Sequence, residues 1–214
     1  MHDFMTSLIR GLCEKSSGFR EVAARQVFDF GRKRTRLVLG TWFSDPEMMQ
    51  IVGLSSAAAQ PWIARMVVGV AVEPGTFREI RAANAWPPLA KVPPDQDVEE
   101  FELVFPVAVR LDILTTRRPN GRGAIARYLR RFGEGIQQVE IHVPDVEGAT
   151  QLLGARFGVP PVYRAPRAGA AGARVNFFLV PAVGGGKILI ELVEAPRYSP
   201  LCSISLATSD VHPV

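Results

Sequence analysis

Three features of this 214-residue chain predict an α+β fold: two paired βαβββ modules forming a curved, cup-like mixed sheet, with a mainly helical N-terminal extension. The first is a repeated order of strand, helix and further strands, starting near residue 63 and again near 134. The second is period-two alternation in the strand candidates. The third is helical spacing of apolar residues in the first 60 positions. Neither module can bury its sheet alone, so the two are expected to pack side by side. Helices then cover the convex side and the concave side holds a ligand.

In the extension, 1–62, FREVAARQVFDF places Val22, Ala23, Val27 and Phe28 on one helical face. RTRLVLGTWF reads as a strand, and Asp45 before PEMMQIVGL as a helix cap followed by proline. The first module, 63–118, contains ARMVVGVAVEP as a strand and TFREIRAANAW as a short helix begun by Thr76. PPDQDV follows as a loop, then EEFELVFP and VAVRLDILTT as strands. A linker helix over 119–133 carries Ile125, Tyr128 and Leu129 on one face. The second module, 134–196, opens with IQQVEIHVP as a strand, on which Gln138, Glu140 and His142 share one face and Gln137, Val139 and Ile141 the other. DVEGATQLLGARFG is a helix capped by Asp145. VYRA, ARVNFFLVP and KILIELVE are strands, the last two joined by the hairpin PAVGGG. Residues 197–214 form a tail.

An apolar fraction of 47% with 21% charged residues excludes general disorder. The apolar run from Met66 to Val72 is far short of the roughly 20 residues of a membrane helix, so no span is expected. Asp3 and Glu14 without a basic head and apolar block argue against a secretory signal. The cytoplasm is the expected address, with the mitochondrion as the alternative. Cys13 and Cys202 are too few for a disulfide framework or a cysteine-rich zinc site. The net charge is only +4, yet six arginines and no acid lie between Arg117 and Arg131. The plain reading is a solvated helix face; the functional one is attraction of a phosphorylated ligand, with Arg127 as a contact. Nucleic acid is disfavoured because no stacking aromatics interleave with the arginines. The chain has no P-loop, nucleophile elbow or paired Cys-x-x-Cys.

Candidate chemistry comes from polar residues on strand faces. Arg110 and Asp112 share a face of VRLDIL, and Lys187 and Glu191 share one of KILIEL. Acids within apolar strands are costly unless they face water, a partner or a metal, and the hollow is the natural place for them. Glu140 and His142, two apart on one strand, point the same way and form a feasible proton-transferring pair. The plain alternative is that His142 meets only solvent or a neighbouring loop.

GEGIQQVEIHVPDVEGATQLL followed by APRAGAAGARVNFFLVPAVGGGKILIELVEAP resembles the second module of methylmalonyl-CoA epimerases, in the vicinal oxygen chelate (glyoxalase, bleomycin-resistance, dioxygenase) superfamily. VRLDILTTRRPNGRGAIARYLRRFGEG is similar to the end of their first module and the linker helix. In that family a histidine on the first strand and an oxygen donor on the last strand of each module hold a divalent metal. The oxygen positions fall on Asp112 and Glu191, whereas the histidine positions fall on Val67 and Gln138. The resemblance therefore implies a degraded or absent site for cobalt, manganese, nickel, zinc or magnesium, with Asp112, Gln138 and Glu191 as its remaining ligands. It assigns Glu191 as a catalytic base; strand alternation, which sets Glu102 opposite Phe101 and Leu103, offers Glu102 as the second. Arg110 and Lys187 are then available to stabilise an enolate.

Three functions stay open. The first is an epimerase, isomerase or lyase acting by proton transfer beside the carbonyl of a carboxylate or CoA thioester. The second is a non-catalytic cup for a small molecule, and the third is a structural subunit. A homodimer is a further expectation from the resemblance.

Overall fold

The computed structural model describes residues 2–53 and 61–195. The expected tail at 197–214, with Cys202, lies outside them. One seven-stranded sheet runs in the order β2-β3-β1-β4-β7-β6-β5. Its first-module strands are β1 (Met66–Ala71), β2 (Glu99–Phe105) and β3 (Val109–Thr115). Those of the second module are β4 (Gly135–His142), β5 (Arg167–Ala168), β6 (Arg174–Pro181) and β7 (Lys187–Glu194). The modules meet where β1 and β4 pair antiparallel, while β1–β3 and β4–β7 are parallel pairs related by the repeat. The predicted α+β cup is the observed architecture.

Alternation decides which side of each strand is buried. Val68, Val70, Phe101, Leu111, Ile113, Val139, Ile141, Phe178 and Ile190 form the convex core. Helices α4 (Pro74–Ala83) and α6 (Val146–Phe157) cover this side, with Phe77 of α4 packed edge-on against Phe101 at 4.8 Å between ring centres. Asp145 caps α6 by accepting from the Gly148 amide at 2.9 Å. Helix α5 (Ala124–Phe132) instead sits against the concave side, where Ile125 and Leu129 pack on Ala71 and Leu114. The Tyr128 hydroxyl fixes α5 by donating to the Ile136 carbonyl at 2.8 Å.

The extension is part of the core. Helices α1 (His2–Gly11), α2 (Ser17–Trp42) and α3 (Pro46–Ile51) add their apolar faces to the convex layer. Gly31 of α2 lets the helix approach β1 so closely that a Cβ there would lie 2.7 Å from a Val68 methyl. Trp42 meets Phe178 edge-on at 6.1 Å, and burying each such ring stabilises the fold by about 1.5–3 kcal/mol. Asp45 caps α3 as expected, accepting from the Glu47 and Met48 amides at 3.0 and 3.1 Å.

Several local expectations are corrected. RTRLVLGTWF is the second half of α2: Thr35, Leu39 and Trp42 are buried at helical spacing, and the Thr35 hydroxyl donates to the Gly31 carbonyl one turn back. Val22 faces outward while Ala24 is buried. Helix α4 starts at Pro74, two residues before Thr76. The first module has three strands, not four, because Pro87, Pro88, Pro93 and Pro94 remove the amides that a strand between α4 and β2 would need. VYRA lies among Pro160, Pro161 and Pro166, and the short strand falls beyond it at Arg167–Ala168. Among the described residues, no helix is long and apolar enough to cross a membrane.

Candidate functional site

The concave side of the sheet and helix α5 enclose a cavity of about 770 Å³. Its floor is acidic. Glu100 of β2, Asp112 of β3, Glu140 of β4 and Glu191 of β7 all line it, together with Gln138. Register explains the convergence: Glu140 is the partner of Glu191, and Gly69 of β1 stands between Asp112 on one side and Gln138 on the other. Gly69 leaves the space that Gln138 fills, since a Cβ there would lie 2.6 Å from the Gln138 Cγ.

The amide of Gln138 donates both of its hydrogens to acids, to Glu191 at 2.5 Å and to Glu140 at 3.0 Å. A β-bulge adds a second amide. Residue 69 pairs with 138 and residue 70 with 136, so Gln137 is the extra residue and turns into the cavity. Its Oε1 is buried without a hydrogen-bond partner. Strict alternation puts Gln137 on the opposite face, because it has no provision for a bulge.

Burial raises all four acids. Glu100 is pushed up to about 7, helped by the charge of Glu140. Asp112 and Glu191 stand well above the ordinary carboxylate range, first through burial and then through the neighbouring acids. Glu140 is also raised by burial, although hydrogen bonds from Gln138 and Asp112 oppose the rise. The contact between Asp112 and Glu140 raises the first and lowers the second.

The other end of the cavity is basic. Arg118, Arg122 and Arg127 come from the linker and α5, and Arg167 from β5. A strap through residues 91–97 spans the mouth in place of the missing strand. Gln96 donates to the Ala168 carbonyl at 2.9 Å, Lys91 accepts from the Ala171 amide at 2.8 Å, and Asp95 meets Arg167 at 3.5 Å.

The predicted site residues therefore divide. Asp112, Gln138, Glu140, Glu191 and Arg127 come together in the cavity. Glu102, Arg110, Lys187 and His142 do not line it. Glu102 is held by Arg110 at 2.5 Å in a half-exposed ion pair, and Lys187 lies exposed at the start of β7. His142 sits further along the concave face, where burial and the nearby Arg110 lower its pKa to about 4, so it is neutral at physiological pH. Glu100, Gln137 and Arg167 were missed, and Arg118 and Arg122 were marked only as members of the 117–131 arginine cluster. Alternation from Phe101 puts Glu100 and Glu102 on one face, and only the curl of the sheet selects Glu100.

No family model matches the sequence, and no curated protein does. Solved structures do match. A methylmalonyl-CoA epimerase from Mycobacterium tuberculosis is 29% identical over 66% of this chain and 94% of its own, with a TM-score of 0.52. The chain has the vicinal oxygen chelate fold. A methylmalonyl-CoA epimerase in complex with methylmalonyl-CoA and NH4+ is 25% identical over 63% of this chain and 96% of its own, at TM-score 0.50. A hypothetical protein from Bacillus halodurans is 23% identical over 63% of this chain and 95% of its own, at TM-score 0.51.

The metal that the resemblance implies can be tested on the donors present at its position in this vicinal oxygen chelate fold. Val67 offers no lone pair, and Gln138 presents its NH2 hydrogens to the two glutamates. Among the described residues, no three His, Cys, Asp or Glu side chains converge as a metal-holding group. This donor set does not fit a resident divalent ion.

Proposed function

We propose that this chain is a glyoxalase-like enzyme of the isomerase type, which takes a proton from the carbon beside a carbonyl and returns it. The substrate class is a small thioester or carboxylate, and a CoA thioester suits the arginine-lined mouth best. The observation that carries this reading is the set of acids with raised pKa values on one cavity floor, with Glu191 on β7 and Glu100 on β2 near enough for their charges to interact. Glu191 removes the proton in its ionised form, which its raised pKa makes a stronger base than an ordinary carboxylate. Glu100, at about 7, is half-protonated near neutral pH and returns one from the opposite side. Asp112 holds the proton that meets the developing enolate oxygen, while Gln138 and Glu140 orient the two acids. A lyase outcome uses the same first step.

The neighbouring epimerase in complex with methylmalonyl-CoA supports the thioester class. The test is deuterium wash-in at the carbon beside the carbonyl of acyl-CoA thioesters in heavy water. Wild type is expected to exchange, and Glu191→Gln to exchange at least about 100-fold more slowly. Undiminished exchange in that variant would remove the assigned base. A second reading, a binding cup without chemistry, is favoured by the poor fit of the metal donors. Ligand-induced thermal stabilisation without any exchange would establish it.

A further inference from the structure

The cavity is electrically two-ended, and that asymmetry bears on the part of the ligand that reaches the floor. All four basic side chains lining it, Arg118, Arg122, Arg127 and Arg167, are at the mouth. The two cations that the strand faces offered to the floor are absent from it, because Arg110 is taken by Glu102 and Lys187 stands exposed at a strand end. What remains at the floor is four carboxyls and two amides. Gln138 spends both amide hydrogens on Glu140 and Glu191, and Gln137 presents a buried, unpartnered acceptor oxygen. Among the described residues no basic side chain lines the floor, and the nearest cation, Arg110, acts on Glu140 from outside it with its charge offset by its partner Glu102.

We infer that the acyl group bound at this floor carries no free carboxylate: the ligand has an anionic tail held at the arginine mouth and an uncharged or hydrogen-bond-donating head. A carboxylate-bearing head would add a further acid to a group whose members already raise one another, with no cation among the residues that line the floor. An uncharged acyl head meets no such repulsion, and a donor on it would satisfy Gln137. This inference rests on the thioester reading and narrows its substrate class.

The experiment is calorimetric titration of the full chain with three probes, CoA, propionyl-CoA and methylmalonyl-CoA, in ammonium-free buffer containing a chelator. CoA and propionyl-CoA are expected to bind, and methylmalonyl-CoA at least about tenfold more weakly than propionyl-CoA. Glu140→Gln, which keeps the size of the side chain and removes one charge, is expected to narrow that gap. Its fold is checked by circular dichroism, and a charge-preserving control, Glu102→Asp outside the cavity, should leave the gap unchanged. Tighter binding of methylmalonyl-CoA than of propionyl-CoA would overturn the inference while leaving the thioester reading intact. Methylmalonyl-CoA binding restored by added manganese would overturn it in the same way. Failure of all three probes to bind would instead remove the thioester reading, and the inference with it.

Discussion

Gln138 donates to Glu191 at 2.5 Å across the β4–β7 pair. Its amide gives hydrogen bonds to two acids and turns no lone pair toward them. Glu191 is thereby kept hydrogen-bonded while buried, which opposes the rise that burial imposes on its pKa.

Removing that donor should therefore be costly. Gln138→Leu leaves the Glu191 and Glu140 carboxylates facing an apolar group, and a loss of about 1–3 kcal/mol is expected at pH 8. The loss should shrink at pH 5, because the raised pKa values of both acids favour protonation as pH falls. Urea unfolding at the two pH values measures both, and an equal loss at each would show that the amide contributes packing alone.

Stability should fall as pH rises above neutrality. Glu100 titrates near 4.5 when unfolded and at about 7 when folded, so between those values the folded state holds more protons. Its stabilising contribution is complete below pH 4.5 and is lost as pH rises through 7, with Asp112 and Glu191 extending the decline upward. His142 works the other way. Its folded pKa of about 4 lies below the unfolded 6.5, so its contribution is complete above 6.5 and is lost as pH falls toward 4. The two slopes oppose each other between 4.5 and 6.5, and the acids act alone above that window. Thermal melts from pH 5 to 9 should show Tm declining from about 6.5 upward. Glu100→Gln should flatten the decline, and an unchanged profile in that variant would refute the assignment of Glu100.

The arginine mouth should show itself in salt dependence. Arg118 is partly engaged with Asp97 at 3.3 Å and Arg167 with Asp95 at 3.5 Å, whereas Arg122 gives only its carbonyl, to Arg127. Arg122→Ala is expected to weaken CoA binding about two- to fivefold at low salt, and much less at 0.5 M salt, where screening removes most of the attraction. Titrations at the two salt concentrations read this directly. Equal losses in both would mean that Arg122 acts through packing.

Legibility in the sequence followed the range of the forces involved. The Asp145 and Asp45 caps, and the turn whose three glycines Gly184–Gly186 have positive φ, depend on neighbours a few residues away and were read correctly. RTRLVLGTWF was misread because its apolar run suits a strand locally, and only contact with Val68 and Phe178 selects the helix. The pairing of Asp112 with Glu191 in one hollow was readable from strand parity and the repeat. Glu100 in place of Glu102, and the inward turn of Gln137, were not. Both depend on the curl of the sheet and on a bulge opposite Gly69, which arise from pairing between modules 60 to 70 residues apart.

Gly69 offers the sharpest test of that pairing. It lies in register with both Asp112 and Gln138, and the Gln138 stem occupies the space where its side chain would be. Gly69→Ala would place a methyl 2.6 Å from the Gln138 Cγ, closer than carbon atoms approach, and 3.1 Å from a Leu114 methyl, a tight contact. The backbone of a strand accepts alanine readily, so the strain falls on Gln138, which must swing its amide off the acids. A destabilisation of about 1–3 kcal/mol is expected, together with a larger fall in proton exchange than in CoA binding. The split between the two readouts decides the matter. A substitution that only loosened the sheet would weaken both alike, whereas displacement of Gln138 would disturb Glu191 and leave the arginine mouth intact.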